Sequence, residues 1–251
     1  MCGIAGFCLS PQEHLDPKAL SMALLEQIEV RGTDATGSAW VVPAKETPKH
    51  RAVIAVSKAP VPASDFEKYL AEMPKSAKRV LLHTRYATQG SPFKNTNNHP
   101  IIAGRTVGVH NGHISNDRAV FDYLRTKRLG TGIRVGEVDS ESAFALLDAT
   151  THHPTQVLES LRGRAALAWF DARDKRDLHL ARVSASPLAV GQTDKDSFIF
   201  ASTMPLLVNA CEKVGVKLRW VEEIGEMTYL RIRNGLIEEI ETIGASLKEI
   251  A

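Results

Sequence analysis

Residues 1–7 read MCGIAGF: a cysteine directly after the initiator methionine, then a run of small and apolar residues. Residues 2–9, CGIAGFCL, have the length and composition of a short buried strand. A structural thiol can sit anywhere in a core, so its place at position 2 needs a reason. Removal of Met1 would make Cys2 the first residue and set a free α-amino group beside its own sulfur. The thiolate is the nucleophilic form, and a free cysteine titrates near about 8.5. An α-amine titrates near about 7.7–8.0, so its neutral form is well populated near neutral pH. A mature N-terminal cysteine therefore holds a nucleophile and its base in one residue. Gly3 beside it lets a substrate approach the backbone.

Outward from this strand the pattern is mixed α and β. DPKALSMALLEQIEVRG (16–32) predicts a helix capped by Asp16, with Pro17 at its first position and Gly32 marking its end. Leu20, Ala23, Leu24 and Ile28 fall on one stripe. GSAWVV (37–42), RAVIAVS (51–57), RVLLHTR (79–85) and TVGVHNG (106–112) read as strands. Ser64 and Glu67 form a capping-box pattern for a helix over DFEKYLAEM (65–73). Helices are expected over 116–128, over 139–150 with Asp139 as cap, and over 154–161 behind Pro154. The last third carries strand-like runs at 165–172, 178–184, 187–191 and 197–202. A hairpin is expected over 229–241, turning at Asn234-Gly235. No repeat, low-complexity stretch or linker divides the chain, so residues 1–251 read as one domain of mostly hairpin-connected strands.

Composition narrows the function classes. The chain has 251 residues, 43% hydrophobic and 24% charged, an ordinary globular balance. A net charge of +2, from 31 basic and 29 acidic residues, gives no argument for nucleic acid or an anionic membrane as partner. No apolar stretch approaches the roughly 20 residues of a membrane span, and no secretory signal pattern opens the chain. Cys2, Cys8 and Cys211 are too few for a disulfide framework. A cytoplasmic location follows as an expectation. Cys8 and Cys211 read as inert core thiols. None of the nine histidines stands in a zinc-like spacing, and no phosphate-loop spacing occurs, so neither metal nor cofactor is expected.

Acyl-transfer chemistry needs more than a nucleophile. Asn111 and Gly112, just after a predicted strand, offer a side-chain amide and an unobstructed backbone N–H to an oxyanion. Arg85 offers a bidentate partner for an amino-acid carboxylate. Asp139, at a predicted helix start, offers an anion for an ammonium group.

MCGIAGF (1–7), RGTDATG (31–37), LLHTRYATQGSPFKNTNNHP (81–100), GVHNGHISN (108–116) and EVDSESA (137–143) occur in the order and approximate spacing of class II glutamine amidotransferase domains. The chain resembles these N-terminal-nucleophile hydrolases from residue 2 almost to its end. It is most like the glutaminase halves of glucosamine-phosphate synthase and amidophosphoribosyltransferase, and less like asparagine synthetase. The resemblance implies an α+β fold, a four-layer αββα sandwich. It implies Cys2 as nucleophile and, through its amine, base, with Asn111 and Gly112 as the oxyanion hole. Arg85 would hold the glutamine carboxylate and Asp139 its ammonium. Thr88 and Tyr86 would line the substrate pocket, and Arg31 and Asp34 would organise the N-terminal region. Tyr86 stands where synthase-like members have Trp, which leaves the subfamily open.

The function implied is release of ammonia from L-glutamine, with glutamate freed by thioester hydrolysis. No acceptor domain is expected within these residues, so the ammonia would pass to a separate synthetase. Three alternatives stand beside this reading: an amidase acting on another γ-glutamyl amide, a catalytically silent domain that binds glutamine or regulates a partner, and a form that keeps Met1 and binds without turnover. The loops QGSPFKNTNNHP (89–100) and LGTGIRVGE (129–137) are expected to be mobile covers over the site.

Overall fold

The computed structural model describes residues 1–49, 51–130 and 132–244. In chain order the elements are β1 (Gly3–Cys8), α1 (Pro17–Ile28), β2 (Ala35–Val42), β3 (Val53–Ala59), β4 (Arg79–Arg85), β5 (Ile101–Ala103) and β6 (Thr106–Ile114). Then come α2 (Asp117–Lys127), α3 (Ser140–Ala149), α4 (Pro154–Leu158), β7 (Gly163–Asp171), β8 (Asp174–Ser184), β9 (Ala189–Thr193) and β10 (Phe198–Ala201). The series closes with α5 (Met204–Lys213), β11 (Leu218–Glu223), β12 (Thr228–Arg233) and β13 (Leu236–Thr242).

The strands form two antiparallel sheets. The first runs β11-β9-β10-β1-β4-β2-β3 and the second β13-β12-β8-β7-β6-β5. Strand alternation sorts their side chains into three cores. Ala5 and Phe7 of β1 join Leu20, Leu24 and Ile28 of α1 and Leu207 and Ala210 of α5 on one outer side. Ile4 and Cys8, on the opposite face, meet Val107 and Val109 of β6 and Ala166, Ala168 and Phe170 of β7 between the sheets. Leu167 and Trp169 turn the other way, onto Val120 of α2, Phe144 of α3 and Leu158 of α4. The result is helix, sheet, sheet, helix, the expected αββα order.

Helix α1 starts as its sequence dictates. Asp16 is extended, and its Oδ1 accepts from the N–H groups of Lys18 (2.8 Å) and Ala19 (3.3 Å). Its end differs from expectation. The chain passes into a 3-10 turn over Glu29–Arg31, and Gly32 is extended (φ 178°) rather than left-handed. Gly32 is small because a Cβ there would collide with the backbone of Arg85 and Tyr86. The hairpin between β12 and β13 turns at Asn234 and Gly235, both at positive φ (52° and 85°), as expected.

Two local expectations fail. No α-helix forms over 65–73. The segment makes 3-10 turns at Ala63–Asp65 and Glu67–Leu70, neither with a side-chain cap. The buried anchors Ala63, Phe66, Leu70 and Met73 recur at three- and four-residue steps, which short 3-10 turns also satisfy. Ser64 spends its hydroxyl on Glu29 (3.1 Å) instead of a capping box. Helix α5, with Pro205 in its first turn and Leu207, Ala210 and Cys211 buried along one stripe, lies in the third of the chain expected to hold strands only.

Replacing Asp16 with Ala removes a working cap and is expected to lower unfolding free energy by about 1 kcal/mol. Glu67→Ala is expected to stay within about 0.5 kcal/mol of wild type, because no capping box exists there. Urea unfolding of both variants checks the pair.

Candidate active site

β1 lies at the centre of its sheet, paired with β10 on one side and β4 on the other. Cys2 precedes the first residue of that strand, half-buried at its end. Its Sγ points to the Tyr86 carbonyl (3.7 Å) and its own carbonyl accepts from Arg31 Nε (2.9 Å). Burial pushes the Cys2 thiol up; the Tyr86 contact, the chain's α-amine and Arg85 pull it down, and Asp139 opposes them. Arg85 and Asp139 thus each lie within electrostatic reach of Cys2. Gly3 is pressed against Thr84 and Ile28, which occupy the space a Cβ would need. Its smallness therefore serves packing within the fold.

Arg85 ends β4, on the face it shares with Leu81 of the inter-sheet core. It is almost wholly buried, and burial lowers its pKa despite the nearby thiol and the carboxylates of Asp34 and Glu137. Its Nη1 donates to Asn98 Oδ1 (2.8 Å), and its Nη2 donates to the carbonyls of Gln89 and Gly90. Three of the five N–H donors of the guanidinium therefore organise the 86–98 loop. Asp34 grips the same loop from the other side, its Oδ2 accepting from Ala87 N (2.7 Å) while its own N–H bonds Arg85 O (3.0 Å). Tyr86 and Thr88 are exposed on that loop, with the Tyr86 carbonyl rather than its ring turned to Cys2.

Across the sheet interface, Asn111 continues the inward alternation of Val107 and Val109 on β6. It is 2% exposed, and its Nδ2 has no hydrogen-bond partner. A buried amide without a partner is costly, and such groups are rare unless a ligand or water completes them. Gly112 adopts φ +148°, where a side chain would collide with the Arg164 carbonyl.

Asp139 sits at the N-cap position of α3 but does not cap it with its side chain. Its backbone is already helical (φ −60°, ψ −33°), whereas a capping residue is extended. The carboxylate turns back instead, accepting from Ile114 N (2.5 Å) and lying 3.5 Å from His113 Nδ1 at the end of β6.

The two expected cover loops are tied to each other. Glu137 accepts from Lys94 Nζ (2.9 Å) and Asn97 Nδ2 (2.8 Å), and Asn97 Oδ1 accepts from Glu137 N (2.7 Å). Glu141, buried in α3, holds the N–H groups of Val135 and Gly136. Thr131 of the second loop lies outside the described residues.

Three residues that the sequence reading left out pack behind this site. His83, His99 and His110 are all buried, with His83 and His99 stacked at 4.1 Å between ring centres. Burial is the first cause that lowers all three. His83 falls to about 3, with Arg85, His110 and Lys58 adding to burial and its hydrogen bond to His110 opposing it. His99 falls well below its ordinary range, pressed further by His83, His110, Lys58 and Arg85, while Asp139 partly restores His110 and His113 pulls it down. The HxR and NHP patterns at 83–85 and 98–100 were the available signal.

Cys8 and Cys211 are buried, and burial pushes both thiols up, Cys211 to about 12. Among the described residues one group has metal-like composition: His153, Glu239 and Glu241. His153 bridges the two carboxylates at 3.0 and 3.2 Å, and Arg231 also holds Glu239 (2.8 Å), so the group is satisfied as an ion-pair cluster. No helix among the described residues is long and apolar enough to cross a membrane.

A family model described as a glutamine amidotransferase domain matches residues 83–209, just over half of the chain. The chain therefore belongs to the glutamine amidotransferase domain family. It is similar to glutamine–fructose-6-phosphate aminotransferases of Zymomonas mobilis (31% identical over 214 residues) and Gluconobacter oxydans (30% over 213). Each alignment covers 82% of this chain and 32% of the relative. The chain thus spans about a third of the length of the curated relatives it matches. The solved structure of glutamine phosphoribosylpyrophosphate amidotransferase from B. subtilis shares its fold, with a TM-score of 0.73 at 18% identity over 97% of this chain and 50% of that one.

The buried histidines make stability depend on pH with a definite sign. Each titrates near about 6.5 when unfolded and lower than that when folded, so the unfolded state binds more protons in between. This contribution is complete above about pH 6.5 and is lost as pH falls toward the folded values, about 3 for His83, by at most about 1.4 kcal/mol per pH unit for each histidine. The slope is expected to become shallower in His83→Gln. Urea unfolding across that window is the measurement, and equal slopes in the two proteins would contradict the assignment.

Proposed function

We propose that this chain is a glutaminase that releases ammonia from L-glutamine, and that Cys2 is its nucleophile. The observation that carries the reading is the unpartnered Asn111 amide, buried on the inner face of the second sheet. It is a donor held ready for an acceptor the protein does not supply.

The mechanism follows from the residues in place. With Met1 removed, the α-amine of Cys2 takes the thiol proton. The sulfur attacks the side-chain carbonyl carbon of glutamine, forming the C–S bond. Asn111 Nδ2 and the Gly112 N–H hold the oxyanion. The tetrahedral intermediate collapses, the C–N bond breaks, and ammonia leaves with the proton from the α-amine. Water then attacks the γ-glutamyl thioester, and glutamate departs as the thiol is restored. No step needs a metal or an organic cofactor.

Arg85 pairs with the substrate carboxylate through donors not spent on the loop, and Asp139 pairs with the substrate ammonium. Tyr86 and Thr88 border the pocket. Arg31 and Asp34 hold the Cys2 carbonyl and the 86–88 backbone in place. Residues 1–251 act as one glutaminase domain in the cytosol, and the ammonia passes to an acceptor synthetase on a separate polypeptide. Transfer must be sheltered, since ammonia released to solvent is lost to the acceptor.

Glutamate release from glutamine is expected to vanish in Cys2→Ala. Asn111→Ala is expected to lower kcat by about 10²–10³ with a smaller change in KM, the behaviour of a lost oxyanion donor. Activity in Asn111→Ala equal to wild type would overturn the assignment of that amide.

A further inference from the structure

We propose that His83 is a positioning residue that sets Asn111 against Cys2, acting through a hydrogen bond that spans the two sheets. The inference rests on the glutaminase reading above. His83 lies on β4, two residues before Arg85 and on the same face, paired in register with Ile4 of β1. Its Nε2 meets the carbonyl of His110 on β6 at 3.2 Å. A carbonyl only accepts, so the ring carries its proton on Nε2 and donates. The accepting peptide joins His110 to Asn111.

Most groups around this bond are themselves held; the His99 ring is fixed by stacking alone, since neither of its nitrogens has a hydrogen-bond partner. The His83 ring stacks on His99, and the backbone on either side of His99 is fixed by Lys58 Nζ, which donates to Asn98 O (2.8 Å) and Pro100 O (3.0 Å). Asn98 in turn takes the Arg85 guanidinium. The His110 ring is fixed by Ser140 Oγ (2.8 Å), the residue after Asp139. Two of the three buried histidines thus adjoin a residue placed in the substrate site, His83 near Arg85 and His110 beside Asn111, while His99 adjoins Asn98, which holds Arg85. Of the three, His83 bonds from the sheet that presents Cys2 to the strand that presents Asn111. The distance between nucleophile and oxyanion donor is a distance between two sheets, and apolar packing between them is non-directional. A directional bond at the site's end of the interface supplies the missing constraint. An error of about 1 Å in such a geometry costs about 10²-fold in rate.

The test compares His83→Gln, His83→Asn and His83→Leu by their rate of inactivation with the glutamine analogue 6-diazo-5-oxo-norleucine, with Cys2→Ala as the blank. A Gln amide nitrogen reaches the place of the imidazole Nε2, whereas that of Asn stops short. Leu and Asn are expected to slow the maximal inactivation rate about 10- to 100-fold with the half-saturating concentration within twofold of wild type, and Gln to recover most of the rate. In the double variant His83→Asn/Asn111→Ala, the first change is expected to add nothing to the second. Asn as fast as Gln, a Gln variant as slow as Leu, or multiplicative effects in the double variant would each overturn the proposal. Should Leu fail to fold, the Gln and Asn pair decides. If wild type itself takes no label, the glutaminase reading fails. His83 is then judged by the Asn111 side-chain amide resonances, which are expected to shift in His83→Asn and return in His83→Gln; unshifted resonances in His83→Asn would reject the bond's role.

Discussion

The molecule depends on its first strand lying at the centre of a seven-stranded sheet. All six residues of β1 are buried, with one face under the α1 and α5 helices and the other against the second sheet. A terminal segment usually frays, because few contacts hold it. Here both edges of β1 are paired and both faces are covered, so the residue before it has a defined place. Arg31 completes the restraint by gripping the Cys2 carbonyl. The nucleophile proposed for this position, a chain terminus once Met1 is removed, would need an anchor of this kind.

Around that point the electrostatics are divided between the sheets. Burial disfavours the Cys2 thiolate, and the nearby cation Arg85 partly offsets this. Arg85 is also the hub of the 86–98 loop, so the guanidinium proposed to meet the substrate carboxylate also orders that loop. The helical backbone at Asp139 turns its carboxylate away from α3 and back toward the end of β6. Behind these charges lie the His83 and His99 imidazoles, held neutral by burial; His83 adds a polar contact without adding charge to the site.

Much of this was legible in the residues, and the parts that were not share a cause. The strands holding Ile4, Leu81 and Val109, the Asp16-Pro17 helix start and the Asn234-Gly235 turn carry local signals, and these read correctly. The family motifs named the candidate site residues, but not which of them meet. That Asn111 has an idle amide, or that Arg85 is mostly engaged by its own loop, follows only from long-range packing. Ser64 and Asp139 were misread as caps because a cap depends on backbone angles that residue type does not determine. Helix α5 was passed over because PLLV in its first turns reads equally as a strand, and periodicity cannot separate short apolar runs. The histidine stack joins residues from β4, the loop before β5 and β6, so no single window displays it.

The central claim is that Cys2 is an N-terminal nucleophile, and intact mass spectrometry tests it most directly. The purified protein is weighed before and after incubation with 6-diazo-5-oxo-norleucine, beside Cys2→Ala. The account predicts a mass lacking Met1 and one added label, with none on Cys2→Ala. A protein that keeps Met1 and takes no label, or a label that persists in Cys2→Ala, would contradict it.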